Sequence, residues 1–470
     1  MENELFKDFK SVDADEWMSA LLKELKGKSF EDTLVWNTIE GIRLEPFYDQ
    51  LKKNVGVPGT APYRRGINKP FNAWEIDFKV DYQADDHSAN KEALQALSDG
   101  ASSITFSGDL SSVDLNQLLN GIELPYVEIR FEHSGKNKAT LIHKLKEYYK
   151  GDPALLRAGI YSDPIGEALL AGGFEQDFKS AFSSHVLSRG SEFPLMHSIT
   201  VDAGIYHNAG ANTVQELAFA LAHGYEYLHM MLNAGIKLED AVTHIEFRFA
   251  NGPDFYMTLC KYRAFRQLWA TIVKAHQPEH ACTLLPYTFG LSSDLYRSDY
   301  DRYTNLLRFT TEVFAAASGS CNAYRVEAFD RSVDADKHFA LRIGKNIQLV
   351  LQEESHVGRV TDPAGGSYYF EHLTDELVNA SWSLFQQLEK DGGFISSIEK
   401  GKIQNEIKSS AEKLKQLFES GKLKMIGVNV FHNKQEKTAT LPKAQSSGTL
   451  NEFDSVQLLR LSDLIKKEMA

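Results

Sequence analysis

At 470 residues the chain exceeds what one compact core supports, so one large domain with appendages is the minimum. Lys plus Arg is 51 against 64 for Asp plus Glu, a net charge of −13 that argues against a general nucleic-acid binder. Three scattered cysteines (Cys260, Cys282, Cys321) make no disulfide framework, and no apolar run approaches the roughly 18 residues needed to cross a bilayer.

Met1 to Lys10 alternates acidic and basic residues without an apolar core, which is not the pattern of a signal peptide, and a reducing cytoplasm is the expected setting. The first helix follows. Asp13 caps it with Glu16 three residues on, Trp17, Leu21 and Leu25 repeat at helical spacing, and Lys26-Gly27 stops it. Turn formers then dominate Gly41 to Tyr48 and Pro58 to Gly66, so residues 1–99 read as an arm and an irregular segment.

From about residue 100 a rhythm begins. Short β-rich runs fall at Ile104–Gly108, Tyr126–Glu132, Ala158–Asp163, Ser198–Ala203, His244–Phe249, Leu284–Thr288, Asn322–Phe329 and Arg359–Pro363. Helical stretches separate most of them, clearest where Val214, Leu217, Leu221, Tyr225 and Leu228 share a face. Eight strand–helix alternations predict an α/β fold, a (β/α)8 TIM barrel over 100–390, with a doubly wound open sheet as the alternative. Residues 391–470 read as helices, a polar linker or tail from Asn433 to Thr449, and an amphipathic helix from Val456 to Met469.

Barrel enzymes carry their reactive groups at the carboxyl ends of the strands. At that level the runs offer Asp202, Tyr206 and His207, then Arg248, then Tyr287 and Thr288, then Arg325 and Glu327. The last run offers Asp362 with Gly365, Gly366 and Ser367, a spacing that matches neither a P-loop nor a dinucleotide fingerprint. A His near an Asp, as His207 is to Asp202, has the chemistry of a general acid or base, although polar residues at a barrel mouth are more often structural. His276, His280 and Cys282 lie close together but lack a further ligand pair, so no metal site is expected.

Several stretches resemble the methylmalonyl-CoA mutase family. The segment Arg359-Val-Thr-Asp-Pro-Ala-Gly-Gly-Ser-Tyr-Tyr-Phe-Glu371 closely resembles the family's end-of-barrel motif, and Arg342 to Glu354 resembles the helix leading into it. Ala209 to Phe219 and Lys261 to Trp269 are similar to its fourth and fifth barrel helices, and Gly427-Val-Asn429 to the strand ending the shared region. Pro62-Tyr-Arg-Arg-Gly66 resembles the segment entering the substrate channel. The resemblance implies Tyr63, Arg64, Arg65, Tyr287 and Arg325 as channel candidates, and Asp362, Gly365, Gly366 and Ser367 as a cofactor-facing motif.

Departures from the family pattern then matter. The family's catalytic chains carry Gly-Tyr-His just before Ala-Gly-Ala-Asn, whereas here Gly204 and Ile205 take the Tyr and His positions, with His207 two residues out of register. The family's Met-Tyr pair after Arg-Gly is replaced by Pro70-Phe71-Asn72 leading to Trp74. No Asp-x-His-x-x-Gly cobalt loop is found; Asp336-Lys-His338 and Asp86-His87 are the near matches. The resemblance therefore implies a catalytically silent small subunit without a cobalamin domain, paired with a large catalytic subunit that holds adenosylcobalamin. The arm from Glu2 to Gly27 resembles a segment that packs on such a partner. Two other readings stand beside it: an active barrel, with Tyr206 and His207 as catalytic candidates, served by a cobalamin domain on a separate chain as in isobutyryl-CoA-type mutases; and a B12-independent barrel that binds acyl-CoA. An axis open to a pantetheine chain, or plugged by bulky side chains, separates the first two.

Overall fold

A computed structural model of the chain describes residues 10, 12–49, 56–66, 72–83, 85–135, 138–332, 336–433, 450 and 452–465. The expectations on Glu2 to Phe9, on Pro70-Phe71, on most of the polar tail and on the end of the last helix lie outside them.

The arm helix spans Ala14–Glu24, with the Asp13 side chain accepting from the Glu16 N–H as its sequence predicts. No residue of this helix is buried. A small antiparallel ribbon follows, β1 (Trp36–Asn37) and β2 (Arg43–Leu44).

The remaining strands form one parallel sheet: β3 (Glu75–Asp81), β4 (Ser103–Gly108), β5 (Glu128–His133), β6 (Ala158–Ile160), β7 (Met196–His197), β8 (Ile199–Asp202), β9 (Ile245–Asn251), β10 (Tyr287–Ser292) and β11 (Ala323–Arg325). Their spatial order is β7-β6-β5-β4-β3-β11-β10-β9-β8. Because β7 and β8 are consecutive halves of one strand interrupted at Ser198, the sheet closes into the expected barrel. The break is bridged by the Ser198 N–H donating to the His244 carbonyl and the Thr200 N–H donating to Ser162.

Two strand expectations change. Glu75–Asp81 is a barrel strand, paired with β4 and β11, although it lies upstream of residue 100. Arg359–Pro363 is not a strand; the chain there makes a short turn of helix at Val357–Arg359 and then a loop. The rhythm of eight thus starts one strand earlier and ends one earlier. The cause is visible in the sequence of β3, where Glu75, Asp77, Lys79 and Asp81 alternate with apolar residues and read as a solvated edge.

Helices cover the barrel, and the apolar core lies between strands and helices. Ile104, Phe106, Ile129 and Phe131 pack with Leu141 and Leu145, while Phe247 and Phe249 meet Phe265 and Trp269. The Tyr368–Lys390 helix lies over the Thr213–Asn233 and Phe255–Ala275 helices as a further layer. Gly210 has φ +98°, and a Cβ there would stand 2.7 Å from the Ala411 Cβ, so the Lys402–Glu419 helix seats directly on its backbone.

The end of the chain is tied to the barrel rim. The N–H groups of Leu450, Phe453, Val456, Leu459 and Leu461 donate to carbonyls of Ala171, Gly172, Leu169, Asn208 and Leu295. This explains why the helix expected over Val456–Met469 is confined, among the described residues, to Ser462–Ile465: the rim takes the N–H groups a helix needs.

Buried histidines surround the break in the split strand. His185 Nε2 meets the Ser198 carbonyl at 2.6 Å and His244 Nδ1 meets Ser198 Oγ at 2.6 Å. Burial depresses His185 to about 4, against an ordinary 6.5, with the Ser198 carbonyl opposing it. The unfolded chain takes up that proton below about pH 6.5 and the folded chain only near 4. Stability is therefore complete above pH 6.5 and falls, by up to about 3 kcal/mol from this residue, as the pH drops to 4. Urea midpoints measured from pH 7.5 to 4 follow that slope, and His185→Gln flattens it. Gly210→Ala lowers stability by about 1–3 kcal/mol in equilibrium unfolding at neutral pH.

Candidate functional site

Inward-facing positions of a barrel strand alternate with outward ones. In β3, β5, β9 and β11 inward positions carry charged residues, and these meet on the axis. Arg130 is fully buried and bonds Glu128 and Glu246 at once. Arg248 donates through Nε to Glu246 at 2.8 Å and through Nη1 to Glu132. Arg325 donates to Glu132 at 2.9 Å, to Glu327 at 3.0 Å and to Asp77 at 3.4 Å. Lys79 approaches Glu132 at 3.6 Å, and the Tyr287 hydroxyl donates to Glu128 at 2.8 Å.

The Phe289 ring stands in the middle. The guanidiniums of Arg130, Arg248 and Arg325 lie 4.5, 5.0 and 5.6 Å from its centroid, within cation–π reach. Burial pushes the Glu246 carboxyl up, but Arg130 and Arg248 outweigh it and hold it down at about 2. Arg325 and Arg248 overcome burial at Glu132 in the same way. At Asp77 burial prevails over Arg325 and Arg130 and raises the carboxyl, which accepts from Ser103 at 2.6 Å and Thr105 at 2.8 Å. The axis is thus filled with paired charge and aromatic rings.

Above this plug, at the carboxyl ends of the strands, a cavity of about 1000 Å³ opens. Arg248, Arg325, Asp202, Tyr161 and Leu291 form its inner end, and it continues between the Lys138–Tyr148, Pro164–Ala171 and Phe178–Arg189 helices. Burial raises Asp202 to about 6; Arg248 opposes this and Asp163 adds to it. The Tyr161 hydroxyl donates to Asp202 at 3.2 Å. The two histidines on the wall are engaged by the protein: His133 Nδ1 accepts from the Leu110 N–H, and His185 holds the Ser198 carbonyl.

The residues singled out in the sequence are dispersed. Tyr206 and His207 lie in the short Gly204–Asn208 helix, not on a strand-to-loop boundary at the cavity. The Tyr206 hydroxyl is fully buried against His223 Nδ1 at 2.7 Å, and His223 meets Asp163 at 3.1 Å. His207 Nε2 is 2.8 Å from Ser293 Oγ and its Nδ1 is 3.6 Å from Glu216. This is the order of nucleophile, base and acid, yet Ser293 and Glu216 are each 1% exposed and Glu216 is held by Lys261 at 3.0 Å.

Tyr287 opens β10, so it stands at the amino end of the axis rather than at the mouth. Arg325 ends β11 and does line the cavity. Arg64 and Arg65 belong to a second ionic cluster outside the barrel. Arg64 bonds Glu371 at 3.0 Å and Asp375 at 2.6 Å, and Arg65 bonds Asp362 at 2.9 Å. Arg263 Nε reaches Asp362 at 2.9 Å, and the Gly366 N–H donates to Glu371 at 3.0 Å. Gly365 leaves room for the Arg65 guanidinium, which a Cβ would meet at 2.3 Å, and Ser367 precedes the Tyr368–Lys390 helix as its cap residue. Tyr63 packs at the edge of the main apolar core.

The family profile described as methylmalonyl-CoA mutase matches residues 109–467. The chain belongs to the methylmalonyl-CoA mutase family. It is 32% identical over 98% of its length to a methylmalonyl-CoA mutase small subunit of Porphyromonas gingivalis, spanning 76% of that protein. It is 32% identical over 84% of its length to the small subunit of Streptomyces virginiae, of which it spans 65%. The Streptomyces virginiae large subunit is 28% identical over 96% of this chain and 66% of its own length. Small and large subunits of this mutase family thus share the region described here.

Glu128, Arg130, Glu132, Glu246 and Phe289 were not singled out in the sequence. The signal that would have found them is charge at alternate positions in strands that are otherwise apolar, as in Glu128-Ile-Arg-Phe-Glu132 and Glu246-Phe-Arg248. Arg130→Met leaves two buried carboxylates short of a partner and is expected to cost about 3–5 kcal/mol. Adding Glu246→Gln recovers part of that loss in the same chemical-denaturation measurement, the pattern of a shared pair rather than of lost volume.

Proposed function

We propose that this chain is the small subunit of a heterodimeric, adenosylcobalamin-dependent methylmalonyl-CoA mutase, catalytically silent itself and paired with the catalytic large subunit. The observation that carries the reading is the filled axis. Three arginines, their carboxylates, Phe289 and Tyr287 occupy the space that a pantetheine arm needs to pass along the barrel. Interconversion of methylmalonyl-CoA and succinyl-CoA proceeds through radicals, which demand a substrate enclosed in a dry, matched chamber. An axis stocked with ionised groups offers the opposite environment.

Adenosylcobalamin supplies the radical chemistry when bound, and the described histidines at the cavity and after β8 do not suit direct ligation of its cobalt. His133 and His185, the histidines of the cavity wall, are committed to the protein's own backbone, and His207 is turned to Ser293. In this reading the cofactor is held by the partner. Names of relatives support that partner: the family includes both small and large subunits of one organism. Buried, unpaired Cys260 and Cys321 suit a reducing, cytoplasmic setting. A second reading, an active barrel served by a separate cobalamin chain, draws on the cavity at the mouth.

Co-expression with a catalytic large subunit and assay of methylmalonyl-CoA to succinyl-CoA conversion, with added adenosylcobalamin, separates the two. The expected result is turnover by the complex, none by this chain alone, and rates within about twofold of the unmodified complex for Tyr206→Phe and His207→Gln. A loss of about a hundredfold in an assembled complex carrying either substitution overturns the silent-subunit reading.

A further inference from the structure

The cavity at the mouth does not continue down the axis, which the charges close. It runs sideways between the helices that follow β5 and β6. Its walls there combine Ala139, Ala168, Ala171, Phe178 and Phe182 with the polar Lys138, Glu167, Glu175 and Ser184. A volume of about 1000 Å³ is ample for a small molecule with one polar end.

The inner end has a definite chemical preference. Arg248 is 2% exposed, and its Nη2 has no hydrogen-bond partner among the described residues, although Nε and Nη1 are both engaged. A buried guanidinium N–H without an acceptor is costly, and a carboxylate oxygen is the acceptor that best relieves it. Arg325 also lines this end, and Tyr161 holds the Arg248 guanidinium 4.8 Å from its ring centroid. Glu132 lines the same end and is shared by Arg248 and Arg325, so the end carries paired charge; what it lacks is an acceptor for the free Arg248 N–H, and an ammonium offers none. Asp202, half-protonated near pH 6 through burial, can donate to an incoming oxygen instead of repelling it.

We propose that this lateral cleft binds a short carboxylate with an apolar tail, the carboxylate against Arg248 and Arg325 and the tail along Ala139, Ala168 and Ala171. The closed axis limits the ligand to a length that fits above the plug. This inference stands apart from the heterodimer reading, because it concerns a cavity walled by this chain alone and is measured with or without the partner.

Calorimetric titration of the full chain with sodium octanoate, octylamine and 1-octanol tests it. The expected result is one saturable site for octanoate, with octylamine and 1-octanol at least about tenfold weaker. Ala139→Trp, at a half-buried position on the wall, weakens octanoate about tenfold or more with an unchanged melting curve. Should that variant melt early, the order of the three probes on the unmodified chain decides. Absence of a saturable octanoate site, equal binding of octylamine, or full octanoate affinity in a stably folded Ala139→Trp overturns the proposal.

Discussion

The arrangement on which the rest of the molecule depends is the sharing of carboxylates among three arginines around one phenyl ring. Glu246 serves Arg130 and Arg248, Glu132 serves Arg248 and Arg325, and Phe289 presents its ring to all three. Desolvating so many charges is expensive, and only close pairing on every side offsets it. The requirement fixes strand register. A slip of one residue in β5 or β9 would turn the carboxylates outward into the apolar layer and bring phenylalanines onto the axis. Charge in this barrel therefore specifies alignment, while apolar burial beneath the helices supplies the stabilising area.

That division of labour explains what the outer layer contains. With the axis polar, the apolar core is displaced to the cylinder between strands and helices, where Phe247, Phe265 and Trp269 interlock. The segment that carries the most specific family signature lies outside this cylinder. Asp362 and Glu371 hold Arg263, Arg65 and Arg64, joining the segment before β3 to the Phe255–Ala275 and Tyr368–Lys390 helices. In this chain those residues act as a buttress for the helical layer. A glycine is required within it because the Arg65 guanidinium fills the space a side chain would need.

The class of fold and most of the strands were legible in the sequence, since apolar periodicity reports burial and each β-rich run sits over the helical layer. β3 was missed because its alternation of charged and apolar residues is the same whether the charged face meets water or a sealed axis. Arg359–Pro363 was mistaken for a strand because a Val-Thr pair between turn residues looks β-like, while the Asp362 backbone is left-handed, at φ +50°, to aim its carboxylate at two arginines. The arm helix, its Asp13 cap and its stop at Lys26-Gly27 were legible because capping is local. His207 and Tyr206 stand in the Gly204–Asn208 helix that follows β8, and no periodicity tells which way a five-residue helix turns its side chains. The cavity could not be foreseen at all, because it is bounded by residues from many separate segments of the chain.

The shared carboxylates have a historical consequence. Glu132, Glu246, Arg130, Arg248 and Arg325 each meet two or more opposite charges on the axis, so deleting any one of these five leaves more than one neighbour short of a partner. Each single replacement in this set therefore destabilises the barrel by leaving buried charge unpaired. Such an interior behaves as a ratchet: substitutions can repaint the helices and the rim one at a time, but opening the axis would take several coordinated replacements at once.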